Sequence, residues 1–178
     1  RATIGAGTDT LIVGLVLGGS GTSGSKGMLF RAAGPALMPF GVLGVLPNPL
    51  ISVYDGASRF LSYNDDWGSS LESVFARVGA FAFSENSKDS AVLAELPEGG
   101  YMAQVLSVND TGGVALAEVY DTSGIYSFSS PRLINLSARA WVGSDAGIMI
   151  TGFVIQGETP IRLLIRAVGP TLASFGIS

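Results

Sequence analysis

The sequence predicts an all-β fold, an antiparallel β-sandwich or jelly roll with one short helix, and three observations lead there. Short apolar and β-branched runs alternate with Gly-rich breaks along the chain, which leaves helical periodicity in one segment only. Turn residues sit between those runs, among them Asp55-Gly56 and Asn109-Asp110-Thr111-Gly112-Gly113. The first forty residues also recur in the last forty, so the two ends are copies of one β half-motif.

Arg1-Ala2-Thr3-Ile4-Gly5 corresponds to Arg139-Ala140-Trp141-Val142-Gly143, and the run Leu11 to Leu17 corresponds to Met149 to Ile155. Met28-Leu29-Phe30-Arg31-Ala32-Ala33-Gly34-Pro35 then corresponds to Leu163-Leu164-Ile165-Arg166-Ala167-Val168-Gly169-Pro170. The first copy is longer in the loop between its second and third runs, where insertions belong. Each copy reads as two or three strands. Gly34-Pro35 and Gly169-Pro170 anchor the ends of their last strands, because proline cannot donate to a ladder. Phe40-Gly41-Val42 and Phe175-Gly176-Ile177 close both copies alike.

The expected organisation is a first half-motif over residues 1–46, a jelly-roll-like centre over 47–130 and a second half-motif over 131–178. In the centre, Leu50 to Tyr54 and Arg59 to Tyr63 form a hairpin about Asp55-Gly56. Ser70 to Val78 is the helix: Ser69 or Ser70 can cap it, and Leu71, Val74, Phe75 and Val78 share one face. Ala91 to Leu96, Tyr101 to Val108 and Val114 to Tyr120 are further strands. A tandem array divided out of phase gives such an arrangement, and the start at Arg1 reads as a processed or excised end. Either the half-motifs pair with each other inside one chain, or each completes a neighbour's sheet and covers its edges.

Composition narrows the function. Charged residues are only 13% of the 178, against about 25% in ordinary domains. Part of the surface is therefore expected to be interface, or else to be a neutral coat of Ser, Thr, Gly and Asn. The net charge is -4 and the ten Lys and Arg are scattered, so no nucleic-acid partner is expected. The longest apolar run, Leu11 to Leu17, falls far short of the roughly 20 residues of a membrane-crossing helix. Without His or Cys, the Ser-His, Cys-His and His-metal mechanisms are excluded, as are disulfides. None of the fourteen acidic residues stands in a glycosidase-like pairing signature, so no catalytic residue and no enzyme is expected. Gly19-Ser20-Gly21-Thr22-Ser23-Gly24 fits a dinucleotide fingerprint in spacing, but a strand follows it instead of the required helix, so it reads as a hairpin loop.

Four features invite a role. Asn64-Asp65-Asp66 crowds three hard oxygen donors at a strand end and suits calcium, the one cofactor suggested, or else simply terminates the strand. Trp67 beside it is a sugar-stacking platform if exposed and a core plug if buried. Arg31 and Arg166 hold the same place in both copies inside apolar strands, so each needs a carboxylate or carbonyl partner. An acidic turn such as Asp65-Asp66 is the expected one. Asn109 and Asn135 head glycosylation sequons, a pattern that arises readily by chance.

Several stretches together resemble a recurrent module of large repeat-bearing surface proteins of environmental Gram-negative bacteria. They are Arg132-Leu-Ile-Asn-Leu-Ser-Ala-Arg139, the Leu163 to Leu172 run, Tyr63-Asn-Asp-Asp-Trp67, Val78-Gly-Ala-Phe81, Leu96-Pro-Glu-Gly-Gly-Tyr101 and Val114 to Tyr120. That resemblance implies a setting and no chemistry. More loosely, the centre is similar to pre-peptidase C-terminal jelly-roll domains, which accompany secreted enzymes as accessory or carbohydrate-contacting units. The sequence thus leads to the expectation of an extracellular or cell-surface structural and adhesive module. Its partners would be copies of itself or neighbouring modules in a filament or stalk. The alternative is a polysaccharide- or calcium-binding accessory domain of a secreted enzyme.

Overall fold

A computed structural model describes residues 1–6, 9–144 and 147–177; Ser178, the last residue of the expected second half-motif, lies outside them. The strands are β1 (Ala2–Ile4), β2 (Leu11–Gly18), β3 (Ser25–Ala33), β4 (Pro49–Asp55), β5 (Phe60–Asn64), β6 (Ser90–Pro97), β7 (Gly99–Ser107), β8 (Gly113–Asp121) and β9 (Arg132–Arg139), with one helix, α1 (Glu72–Val78). They form two packed sheets, a four-stranded one in the order β1-β8-β3-β6 and a five-stranded one in the order β5-β4-β7-β2-β9. Every ladder between these strands is antiparallel. The chain is an all-β sandwich.

Alternation decides which side chains meet between the sheets. Along β2, Leu11, Val13, Leu15 and Leu17 are buried while Ile12, Gly14 and Val16 are partly or fully open. Leu15, Phe30, Ile51 and Val105 belong to the resulting core. β3 departs from that rule, since every residue from Lys26 to Ala33 is buried. Its outward side chains Leu29, Arg31 and Ala33 lie under a second layer built from α1 and the segment that carries Trp67, Ala80 and Phe83. A strand covered on both faces reads as an unbroken apolar run, as Met28 to Ala33 does.

The predicted helix is present but starts later than expected. Ser69–Leu71 first closes a 3-10 turn, with the Glu72 N–H bonded to the Ser69 carbonyl, and neither serine side chain caps the helix. Gly79 ends it at φ 72°, donating to the Ala76 and Phe75 carbonyls.

Of the two expected arrangements, the half-motifs meet inside the chain only through β9 against β2 and through Arg1 with Ile150; the other contacts of the first half-motif are with the centre. β2 lies between β7 and β9, and β3 between β6 and β8, so residues 1–46 interleave with the centre instead of standing beside it. β9, placed by sequence within the second half-motif, is the last strand of this sandwich through its ladder with β2. With both edges of β2 and β3 occupied, no place remains beside those two strands for their counterparts in residues 140–177. Among the described residues that stretch forms no strand. Its backbone meets the sandwich where Arg1 and Ile150 exchange N–H to carbonyl bonds of 2.7 and 2.8 Å, and Ala140 and Met149 pack against the main core.

Gly113 shows how tightly the halves are joined. A Cβ there would stand 2.5 Å from the Leu46 nitrogen and 2.7 Å from the Val45 carbonyl carbon, backbone atoms that cannot turn aside. Gly113→Ala is expected to cost about 1–3 kcal/mol in urea denaturation. Gly124→Ala, with nothing within 4 Å, should unfold like the parent protein; equal behaviour of the two variants would refute this account of the packing.

Candidate functional site

The most unusual chemistry in the sandwich surrounds Arg31, a charged residue with no measurable exposure. A buried guanidinium is costly unless its charge is compensated. The register of β3 against β8 sets Glu118 directly opposite, and its Oε2 lies 3.4 Å from Arg31 Nε. Among the described residues, the three guanidinium nitrogens find no hydrogen-bond partner. They lie instead against aromatic faces, with the guanidinium carbon 4.3, 4.6 and 3.9 Å from the ring centres of Phe75, Phe81 and Phe83. Rings so placed attract a desolvated cation through their quadrupoles. Burial pushes the guanidinium below its ordinary pKa against the pull of Glu118, yet arginine stays charged in proteins. Burial likewise pushes the Glu118 carboxyl up, opposed by the Arg31 charge and by a 2.7 Å hydrogen bond from the Tyr120 hydroxyl. The tyrosine is held well above its usual range by its own burial first and then by that bond.

The partner differs from the one expected. Asp66 does not reach Arg31; its carboxylate holds Lys88 Nζ at 2.6 Å. Arg31 points off the outer face of its sheet, where the neighbouring strand supplies Glu118 first. Fully buried Asp89, immediately before β6, secures the Gly34-Pro35 corner that follows β3. Its Oδ1 accepts the Gly34 N–H at 2.7 Å, both carboxylate oxygens lie 3.2 Å from the Ala36 nitrogen, and Ser87 Oγ donates to Oδ2. Pro35, which has no N–H, sits between the two donors. Sequence reading missed both acids, although Glu118 was detectable as a lone carboxylate inside the apolar run Val114 to Tyr120.

Arg166, Gly169 and Pro170 repeat this arrangement without its partners. The corner has the same shape: Gly169 lies at φ -126°, ψ -85° and Gly34 at -123°, -79°, while the closing Gly176 and Gly41 lie at φ 75° and 74°. Arg166 is exposed. Leu164 is 85% and Ile165 73% accessible, whereas their counterparts Leu29 and Phe30 are fully buried. Two copies of one sequence segment therefore occupy opposite environments.

The remaining candidates fall elsewhere. Asn64 Oδ1 accepts the Ala91 N–H and its Nδ2 donates to the Asp66 carbonyl, so this side chain ties strand ends together. With Asp66 paired to Lys88, the three donors of Asn64-Asp65-Asp66 do not converge, and no group of three acidic, His or Cys side chains suited to a metal occurs among the described residues. Trp67, open to two roles by sequence, is buried. It stacks on Phe75 at 5.4 Å, meets Phe83 edge-on and donates Nε1–H to the Ser84 carbonyl, which leaves no face for a sugar. A polar cleft of about 230 Å³ beside it is lined by Asp66, Glu85 and Lys88 among others. A shallower groove of about 300 Å³ crosses the five-stranded sheet at Gly14, Gly56, Asn135 and Ser137. Compared with known proteins, the chain matches no family model, no curated sequence and no solved structure.

Removing one member of the buried pair exposes what it neutralises. Arg31→Met is expected to cost about 3–5 kcal/mol at neutral pH, because Glu118 is left buried without its cation. Without the arginine the folded-state pKa of Glu118 rises further above its unfolded value. The penalty is therefore complete above that raised pKa and fades as pH falls toward the ordinary carboxylate range. The double variant R31M/E118Q should recover much of the loss at neutral pH. Urea denaturation of both variants at neutral and acidic pH measures this, and an R31M deficit that does not change with pH refutes it.

Proposed function

We propose that this chain is a non-enzymatic structural or adhesive module of the bacterial cell surface, one that associates with copies of itself or with neighbouring modules in a filament or stalk. The observation that carries this reading is the contrast between the two copies of the half-motif. The first is sealed inside the sandwich, while the second presents Leu164, Ile165 and Phe153 to solvent. Apolar surface of that extent on a folded protein marks an interaction site. The sparse charge of the chain supports the reading, since little on its surface opposes association. Its setting rests on the resemblance to modules of repeat-bearing surface proteins. The absence of His and Cys agrees with a role other than catalysis.

A second reading, a carbohydrate- or calcium-binding accessory domain, draws on the cleft beside Asp66 and Glu85. There Lys88 already neutralises Asp66, so a cation would have to displace it. One experiment separates the two readings. Size-exclusion chromatography and negative-stain microscopy of the purified chain should show assemblies that grow with concentration and persist in high salt, as apolar contacts do. Phe153→Lys and Leu164→Lys should reduce them without lowering the melting temperature of the sandwich. A monomer at every concentration, with melting that rises on adding calcium, would favour the accessory domain.

A further inference from the structure

We propose that residues 140–177 are the first three strands of a second sandwich, and that their occupant is the β4–β9 half of a neighbouring module of this same fold. This deepens the modular reading above and rests on it. The first copy shows what the second requires. β2 is held between β7 and β9, β3 between β6 and β8, and β1 against β8; all of these partners come from the β4–β9 half. Met149, Phe153 and Ile155 stand where buried Leu11, Leu15 and Leu17 do, with Thr151 in place of Val13, and Leu163 to Val168 keep the apolar run of β3, so the same two sheet edges and inner face fit them.

Charge complementarity makes the choice of occupant specific. Arg166 stands where Arg31 does, and Arg31 is neutralised by Glu118 and embraced by three phenylalanine rings. The Gly169 and Thr171 nitrogens stand where Gly34 and Ala36 present theirs to Asp89. The corner carrying them already has the bound shape. A generic greasy partner satisfies the leucines but leaves a guanidinium to be desolvated unpaired, which is prohibitive. A half-module of this fold brings a carboxylate, an aromatic cage and a second carboxylate to the required places. A second complete copy of this chain offers them only by expelling its own β1–β3, so self-association rests on the exposed apolar side chains and not on these strand positions.

The repeat also tells where the occupant differs from this chain. Ile161 replaces Lys26, whose ammonium is buried against Asp121 at 2.6 Å, so the residue facing Ile161 should be uncharged. Arg162 replaces Gly27, where any Cβ would press on Thr122 Oγ1 and the Glu95 carboxylate, so an acid is again expected there together with a residue smaller than Thr122.

The test extends the full chain by a further copy of residues 44–139 that carries Asp121→Asn and Thr122→Ala, and reads amide hydrogen exchange. Met149 to Ile155 and Leu163 to Val168 should slow by about 100-fold or more relative to the unextended chain, as strands held in a folded module do. Arg166→Glu in the extended chain should abolish that protection and leave Leu11 to Leu17 unchanged. The same polypeptide 44–139, refolded with the unextended chain, gives the measurement in trans if the extended chain does not fold. Fast exchange of residues 149–168 in both formats, with Leu11 to Leu17 protected, overturns the inference even if the parent chain assembles in microscopy. Protection in either format upholds it even if the parent chain remains a monomer, in which case self-association alone is lost.

Discussion

The sandwich depends on β3 being enclosed on all sides: by β6 and β8 at its edges, by the five-stranded sheet on one face and by the helical layer on the other. Such a strand has no route to water. Any polar group it carries must be satisfied by the protein, and Arg31 is the severe case. Its compensation draws on two elements at once, Glu118 from β8 and the rings Phe75, Phe81 and Phe83 from α1 and the stretch after it. The same enclosure explains Asp89, which satisfies two backbone N–H groups as the chain turns out of β3. The arginine thus ties sheet and helical layer together, because neither can shift without uncovering the charge.

That constraint explains why one sequence motif behaves in two ways. Propensity and alternation favour extended backbone in both copies, but a strand becomes part of a sheet only when its N–H and C=O groups find partners. The first copy finds them in β6–β9. The second meets a sandwich whose internal strand positions are filled, and it makes one reciprocal backbone contact, at Arg1 and Ile150. Its final turn depends on local geometry alone, a proline at the first position and a glycine at the close, and it forms identically without neighbours. The local part of the motif is autonomous and the pairing part is conditional.

This division sets what could be read from the sequence. Strands β4 to β8 and the helix were legible to within a residue or two, because alternation and turn chemistry are local signals. The burial of Trp67 stayed open in sequence, since nothing nearby says that Phe75 and Phe83 will fold over it. The partner of Arg31 was misassigned to Asp65-Asp66 because strand register is a long-range property: Glu118 is opposite only once β8 lies beside β3. Asp89 left no trace, as an acid before a strand commonly caps or faces water. The repeat was fully visible, but similarity between two segments says only that they want the same neighbours, and leaves open whether they are each other's.

The wish of like segments for like surroundings also bears on the low charge of the chain. A self-contained domain gains from charges that keep copies apart, whereas a module that must bury apolar strands against another gains from few. Specificity must then come from something other than surface charge. A guanidinium inside an apolar strand provides it: partners lacking a matching acid and aromatic cage carry the full desolvation penalty, while the correct one does not. Arg31 imposes that condition within this sandwich, where it is met. In the modular reading proposed above, Arg166 would impose it at the surface, and so the residue that costs the fold most to bury would be the one best suited to decide which surface may cover it.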